Sequence, residues 1–393
     1  MTPFAVTEPD PQLNALLTGY PDGLFSTRLF QSIELLERYG LETLIAIAHR
    51  LQLPMLLDHW QTAETVCQRG GFDRRIGPAI AGLLRHLAAE GLIEHDGSEA
   101  GNRYRLTGSL RADQCQGLHR LGLAIDPANA ATLALYDAAG NAYPSVARGE
   151  VSGEEALFGL GQVGLWLDYF NNTNPGYAIN NRITAIAAAD RLADRPEIRI
   201  LEVGAGAGSA AAALLAELST RGWRERIVSY RITEPHPFFR RRGQRSLSAE
   251  YRDLPLEFAA LDIDQPWQAQ GAGPGDYDLI YTVNALHVAQ DIGFSLDQAR
   301  TALADGGWLI AGECLRPDDE RPVAIELVFR LLDSFNRVRT DPVIRPQPGF
   351  LTPRQWLAGF EQVDLSDCRI DPDPQPIRAV YPRFVTGAVC GRR

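Results

Sequence analysis

The chain has 393 residues, 45% of them hydrophobic and 22% charged, with a formal net charge of −11. That length exceeds one ordinary core and predicts two or three domains. The negative charge speaks against a nucleic-acid partner, and no run of about 18 apolar residues offers a membrane span. All 38 basic residues are arginine, which excludes Schiff-base chemistry on a lysine. The five cysteines (Cys67, Cys115, Cys314, Cys368, Cys390) are scattered and form no C-x-x-C pair. A reduced, cytoplasmic setting with no metal site is expected.

The N-terminus, MTPFAVTEPDPQ, is acidic and proline-bearing, unlike a signal peptide. Residues 1–27 are expected to form a loose arm. Apolar residues at helical spacing over 28–52 predict a helix interrupted near Gly40. Two further helices follow at 62–70 and 75–90 around a glycine turn. A small hairpin comes next, from Gly91–Glu94 and Tyr104–Thr107 about a turn at 95–101. Helix, helix and hairpin make a winged-helix-like arrangement. Through residue 115 the segment carries 10 Arg against 14 Asp plus Glu, whereas a recognition helix should meet phosphate with positive charge. The segment therefore reads as architectural, dimerising or substrate-covering. Residues 116–150 continue as helices and loops without a nameable motif.

In 151–195 the aromatics Trp166, Tyr169, Phe170 and Tyr177 lie beside a polar set that includes Asn180 and Asn181. Pro175-Gly176 breaks the chain there, and a helix over about 178–193 feeds the next strand. This segment reads as a lid whose rings can face a cation. Residues 198–218, IRILEVGAGAGSAAAALLAEL, then give a buried strand, a glycine turn and a helix. Gly204, Gly206 and Gly208 let the backbone turn sharply and a ligand come close. Glu202, two residues before the first glycine, departs from the G-x-G-x-x-G of dinucleotide binders and suits a ligand carrying an ammonium group.

From there the strand–helix rhythm is regular. A second strand, Ile227–Thr233, ends at Glu234, placed to accept ribose hydroxyls. A helix rich in arginine over 237–252 follows. A third strand, Leu256–Leu261, ends at Asp262 and Ile263, an acid for an adenine amino group and an apolar side chain for its ring. A fourth, Tyr277–Val283, is followed by Asn284-Ala-Leu-His287, and a fifth, Trp308–Ala311, by Gly312-Glu313. The remainder predicts an amphipathic helix over 323–338, a helix from about Thr352, and strands at 363–370 and 377–389.

Glu202-Val-Gly-Ala-Gly-Ala-Gly208, Glu234, Leu261-Asp-Ile263, Asn284-Ala-Leu-His287 and Gly306-Gly307 through Glu313 together resemble the C-methyltransferase domains of polyketide synthases and hybrid peptide synthetases, over about residues 150–390. The resemblance implies an α/β fold. Its core is a Rossmann-like seven-stranded sheet (196–393), joined to an α-rich, winged-helix-like N-terminal domain (1–115) and a helical linker and active-site lid (116–195). It implies S-adenosylmethionine as cofactor, bound by Glu202, Gly204, Gly206, Glu234, Asp262, Ile263 and Asn284, with Tyr169 and Asn181 from the lid. It implies His287 and Glu313 as a catalytic pair and Tyr177 as a third catalytic residue. The acceptor would be a small molecule or a carrier-bound acyl group, and the N-terminal domain can serve a homodimer.

No ketosynthase or carrier-protein sequence accompanies these motifs, and that keeps a second reaction open. Some free-standing proteins resembling these domains cyclise S-adenosylmethionine itself to azetidine-2-carboxylate and methylthioadenosine. A small-molecule O- or N-methyltransferase is a third enzymatic reading. A non-catalytic regulator would need a basic recognition face, which the sequence lacks.

Overall fold

In the computed structural model, which describes residues 11–97, 102–111, 115–159 and 161–393, the chain begins with a short helix, α1 (Pro11–Leu16). Leu13 and Leu17 are buried against Phe30, Ile377 and Phe384. The stretch that the sequence reads as a loose arm is thus packed from residue 11 onward, because its apolar side chains cover the far end of the chain; residues 1–10 lie outside the described residues. Helix α2 (Thr27–Arg50) starts at Ser26, whose hydroxyl accepts from the Leu29 amide. It runs unbroken through Gly40, contrary to the interruption implied by the sequence. That glycine serves a close contact instead: a Cβ there would lie 2.7 Å from Ala324 Cβ and 3.1 Å from the Tyr136 ring.

Helices α3 (Leu53–Leu56), α4 (Ala63–Gly70) and α5 (Gly77–Ala89) follow. A small antiparallel sheet joins β1 (Gln61–Thr62), β2 (Glu94–Asp96) and β3 (Arg103–Arg105) in the order β1-β3-β2; residues 98–101 of the hairpin turn are outside the described residues. Helices α6 (Cys115–Ile125) and α7 (Ala130–Ala147) pack on α2. Then α8 (Gly153–Phe158), α9 (Val163–Tyr169) and α10 (Pro175–Arg191) lead to the main sheet. Trp166, read from sequence as part of an aromatic lid, is a core residue. It is fully buried, stacks on Phe158 at 4.4 Å and donates its indole N–H to the Leu157 carbonyl.

The buried run Ile198–Val203 forms β4, and the chain leaves it through the glycine turn for α11 (Ser209–Thr220). On one side of β4 stand β5 (Ile227–Thr233) and β6 (Leu256–Ala259), with α12 (Pro237–Glu250) between them in sequence. On the other side stand β7 (Tyr277–Val283) and β8 (Leu303–Cys314), joined through α13 (Ile292–Ala302). β8 is longer than the sequence predicts because it extends back past Gly306, which takes a φ of 71°. Two short helices, α14 (Glu326–Phe329) and α15 (Asp333–Asn336), replace the single amphipathic helix expected over 323–338, since Leu332 between them is extended. Glu326 is fully buried between Arg316 at 2.7 Å and Arg330 at 3.1 Å, and both guanidinium groups also donate to the Pro348 carbonyl. These bonds tie the segment to the sheet.

Helix α16 (Pro353–Gln362) starts in a capping box at Thr352. The last strands are β9 (Ser366–Asp371) and β10 (Thr386–Arg392); the first part of the predicted strand 377–389 belongs instead to a helix, α17 (Pro374–Val380). The seven strands stand in the order β6-β5-β4-β7-β8-β10-β9, with β10 antiparallel to both its neighbours and the first five parallel. This is a Rossmann-like sheet, and its strand order reverses between β4 and β7, where such sheets bind ligands beyond their carboxyl ends. Among the described residues no helix is long and apolar enough to cross a membrane.

Close packing of α10 on the sheet depends on Gly312. A Cβ there would lie 1.8 Å from the hydroxyl oxygen of buried Thr184. Gly312→Val should therefore destabilise the protein by about 1–3 kcal/mol through overpacking. Gly117→Ala, at a helical glycine with open space around it, should stabilise it by about 0.5–1 kcal/mol. Urea unfolding of both variants measures this, and a Gly312→Val protein as stable as wild type would contradict the packing.

Candidate active site

The ladder between β7 and β8 pairs Val283 with Gly312, so Asn284, just after β7, stands beside the last residues of β8, Gly312–Cys314. The Asn284 amide donates to the Gly312 carbonyl at 2.7 Å. Asn284 itself takes a φ of 52°, a left-handed conformation that asparagine tolerates better than most residues. Its side-chain oxygen accepts from the Asn180 amide at 3.2 Å. Backbone strain held in place by hydrogen bonds marks this as a constrained position.

A single turn of 3-10 helix over Leu286–Val288 then carries His287. His287 Nδ1 lies 2.7 Å from one oxygen of Glu313, whose other oxygen accepts from the Leu286 amide at 3.2 Å. Both side chains are buried, at 6% and 0% exposure. With Nδ1–H donated to the carboxylate, Nε2 is the nitrogen left to take a proton. The ring stands edge-on to Phe350 at 4.8 Å and Phe335 at 5.9 Å. Behind it, buried Arg345 donates to the carbonyls of His287 and Ala289 at 2.7 and 2.6 Å.

On the β4 side, Gly204, Gly206 and Gly208 take φ values of 72°, 54° and 88°. A Cβ on Gly204 would lie 2.4 Å from Ala285 Cβ, so the two turns touch, whereas the position above Gly206 is open. Glu234 grips the turn: one oxygen accepts from Gly206 N at 2.9 Å and the other from His236 N at 2.8 Å. Glu202 is buried at 1% exposure and accepts from the Tyr230 hydroxyl at 2.6 Å. Burial pushes its carboxyl up to about 8, against the Tyr230 hydroxyl and the Ala211 amide, which favour the ionised form.

Beyond His287 lies a cavity of about 300 Å³ between the sheet end and the N-terminal helices. Tyr169, Phe170, Tyr177, Asn180, Asn284 and His287 line one end of it. The Tyr177 ring meets Phe170 at 5.3 Å and Tyr169 at 5.7 Å. Burial pushes its phenol up to about 12, with the Ser209 side chain opposing.

Residues 201–309 match a family model described as a methyltransferase domain. The whole fold resembles the CurJ carbon methyltransferase (TM-score 0.76, 21% identity, 97% of this chain and 96% of that one) and the DszA carbon methyltransferase (0.71, 22%, 98% and 94%). Residues 201–309 of this chain thus carry a methyltransferase domain. Among curated proteins it is 33% identical to the reducing polyketide synthase Preu2 of Preussia isomera over 180 residues, 46% of this chain and 7% of that protein. It is 32% identical to the polyketide synthase ThaG of Burkholderia thailandensis over 228 residues, 55% of this chain and 4% of that one. The chain thus spans less than a tenth of the length of these relatives.

The geometry brings Glu234 onto the glycine turn, and Asn284, His287, Tyr169 and Tyr177 onto one cavity. Asp262 is exposed and accepts from the Asp264 amide, and Ile263 is half-buried next to it. Asn181 does not line the cavity; it is fully buried and donates to Asn172, while its neighbour Asn180 lines the wall. Sequence reasoning missed Arg345 and Phe350, which reach His287 from loops with no motif, and Phe335, which reaches it from α15. It also missed Glu37, whose only signal is an acid on a mostly apolar helix one turn before Gly40.

The raised Glu202 value has a definite sign. Between its ordinary 4.5 and about 8 the folded protein holds a proton that the unfolded chain releases. Stability therefore falls as pH rises through that window, by up to roughly 1.4 kcal/mol per pH unit from this group. Glu202→Gln should gain on wild type as pH climbs from about 5 to 8 in urea unfolding. A gap independent of pH would assign Glu202 an ordinary carboxyl.

Proposed function

We propose that this protein transfers a methyl group to carbon, on the carbon between the two carbonyls of a 3-oxoacyl thioester. The observation that carries this reading is the largely apolar cavity that His287 lines together with Leu36, Val323, Phe329 and Phe350. An enzyme that only folds S-adenosylmethionine on itself has no use for so much apolar wall beside the residues assigned to the cofactor. A proton-abstracting methyltransferase needs an apolar space for its acceptor directly against the base.

The residues present fit the cofactor. Gly206 leaves the space that a Cβ would fill, Glu234 sits at the end of β5 for a ribose, and the exposed Asp262 with Ile263 suits an adenine. When bound there, S-adenosylmethionine supplies an electrophilic methyl group on a positively charged sulfur. Glu202, Asn284 and the lid residues Tyr169, Tyr177 and, in place of the buried Asn181, its neighbour Asn180 are assigned to its methionine end. Tyr177 and Tyr169 offer ring faces to a cation and keep water out.

His287 Nε2 removes the acidic proton of the acceptor. Glu313 holds the imidazole in the required tautomer and stabilises the imidazolium that forms, as the acid of a catalytic triad does. Arg345 fixes the turn that carries the histidine. The relatives are polyketide synthases by name, which supports an acyl group presented on a carrier protein. Residues 1–115, with their winged-helix-like order, cover that acyl chain, and 116–195 form the linker and lid. The acidic balance of the N-terminal part argues against DNA as its partner.

The test is to incubate the purified protein with S-adenosylmethionine, alone and with a 3-oxoacyl thioester, and to quantify products by mass spectrometry. S-adenosylhomocysteine and a C-methylated thioester formed together support the reading. Steady methylthioadenosine and azetidine-2-carboxylate without any acceptor would replace it with cyclisation. His287→Ala should bind the cofactor as wild type does while lowering kcat about 10²–10⁴-fold; undiminished turnover would remove His287 as the base.

A further inference from the structure

The cavity has a second chemical feature, away from the histidine. Glu37, on α2, lines the same chamber as His287. Around it the wall is apolar, with Leu36, Val323 and Ile325 beside it. One Glu37 oxygen accepts from the Ala324 amide at a long 3.4 Å. Tyr136, on α7, is the neighbouring polar group. Its ring and hydroxyl lie against Gly40, one helical turn after Glu37, where Ala324 also packs. Tyr136 lines the same cavity and is almost fully buried, and burial first, then the nearby Glu37 carboxyl, raises its phenol. A carboxyl group in apolar surroundings is costly to keep unless something hydrogen-bonds to it. Consistent with that cost, burial pushes Glu37 up to about 7, against the pull of Arg383 and the Ala324 amide.

We propose that Glu37 and Tyr136 form a recognition site for a hydroxyl group carried on the chain of the acceptor, so that the cavity selects a hydroxylated acyl group over a plain alkyl one. This rests on the carbon-methylation reading given above. A hydroxyl both donates and accepts: it donates to the Glu37 carboxyl and accepts from the Tyr136 phenol. An ammonium group would satisfy Glu37 but leave the phenol donor idle. A plain hydrocarbon would leave the phenol and the second Glu37 oxygen facing apolar groups, which is how a polar pocket rejects an analogue lacking the matching group.

The experiment uses 3-oxoacyl N-acetylcysteamine thioesters of equal chain length. One is unsubstituted, a series carries a single hydroxyl at successive carbons beyond the ketone, and one carries an amine. S-adenosylhomocysteine formation gives kcat/KM for each. Wild type should prefer one hydroxylated member over the unsubstituted one by about tenfold or more. In Glu37→Leu and Tyr136→Phe that ratio should fall toward one, and Glu37→Gln should retain part of it. Cofactor affinity by calorimetry reports that each variant is folded. Equal rates across the series in wild type, a preference surviving in a folded Glu37→Leu, or preference for the amine would each overturn the proposal. The same thioesters are titrated calorimetrically into the complex with S-adenosylhomocysteine. If no thioester is methylated, carbon methylation fails as a reading; tighter binding of a hydroxylated member, lost in Glu37→Leu, would still establish the subsite, and equal binding would remove it.

Discussion

The pairing of Val283 with Gly312 across two parallel strands sets the positions of Asn284, His287 and Glu313. One residue further on, Asn284 is bonded to the Gly312 carbonyl, and Glu313 begins the reach to His287. Because β8 is also paired along its length with β10, with Gly387 opposite Glu313, the carboxylate cannot move without the sheet. A histidine held by a fully buried carboxylate on a strand is positioned more precisely than one on a free loop. The glycine at 312 is needed for the same reason: it lets α10 lie against the sheet and bring Asn180 to Asn284.

The two halves of the molecule divide the chemistry. The sheet supplies the turn at Gly204–Gly208, the acid at Glu234 and the histidine pair. The N-terminal helices supply the far wall of the cavity, and the segment 323–350 closes it from above, tied down by the buried Arg316–Glu326–Arg330 cluster. Removing one partner of such a cluster would leave a buried charge without compensation, so the segment is bound to the sheet by necessity. Two carboxyls elsewhere are raised by burial, Glu37 on the cavity wall and Glu202 within β4.

Much of the sheet was legible from sequence because its signals are local. Strands β4, β5 and β7 are short buried runs, and the glycine turn and the positions of His287 and Glu313 follow from their strand ends. The exceptions have physical causes. Gly40 carries no φ requirement, and only the contact with Ala324 and Tyr136, distant in sequence, explains it. The aromatics of 166–177 look alike in sequence, but Trp166 finds a backbone acceptor inside the core while Tyr169 and Tyr177 line the cavity. Asn180 and Asn181 are adjacent, and helical geometry sends them to different surroundings. Glu37 and Arg345 reach the site from outside the regular strand–helix rhythm, so no periodicity announces them.

The central claim is that His287, held by Glu313, removes a proton from carbon. The most direct measurement is hydrogen–deuterium exchange at the carbon between the carbonyls of a 3-oxoacyl thioester, in D₂O with S-adenosylhomocysteine bound so that no methyl group can transfer. The account predicts exchange faster than in buffer alone, abolished by His287→Ala. Exchange at the buffer rate in the wild-type protein, with the thioester shown to bind, would contradict it.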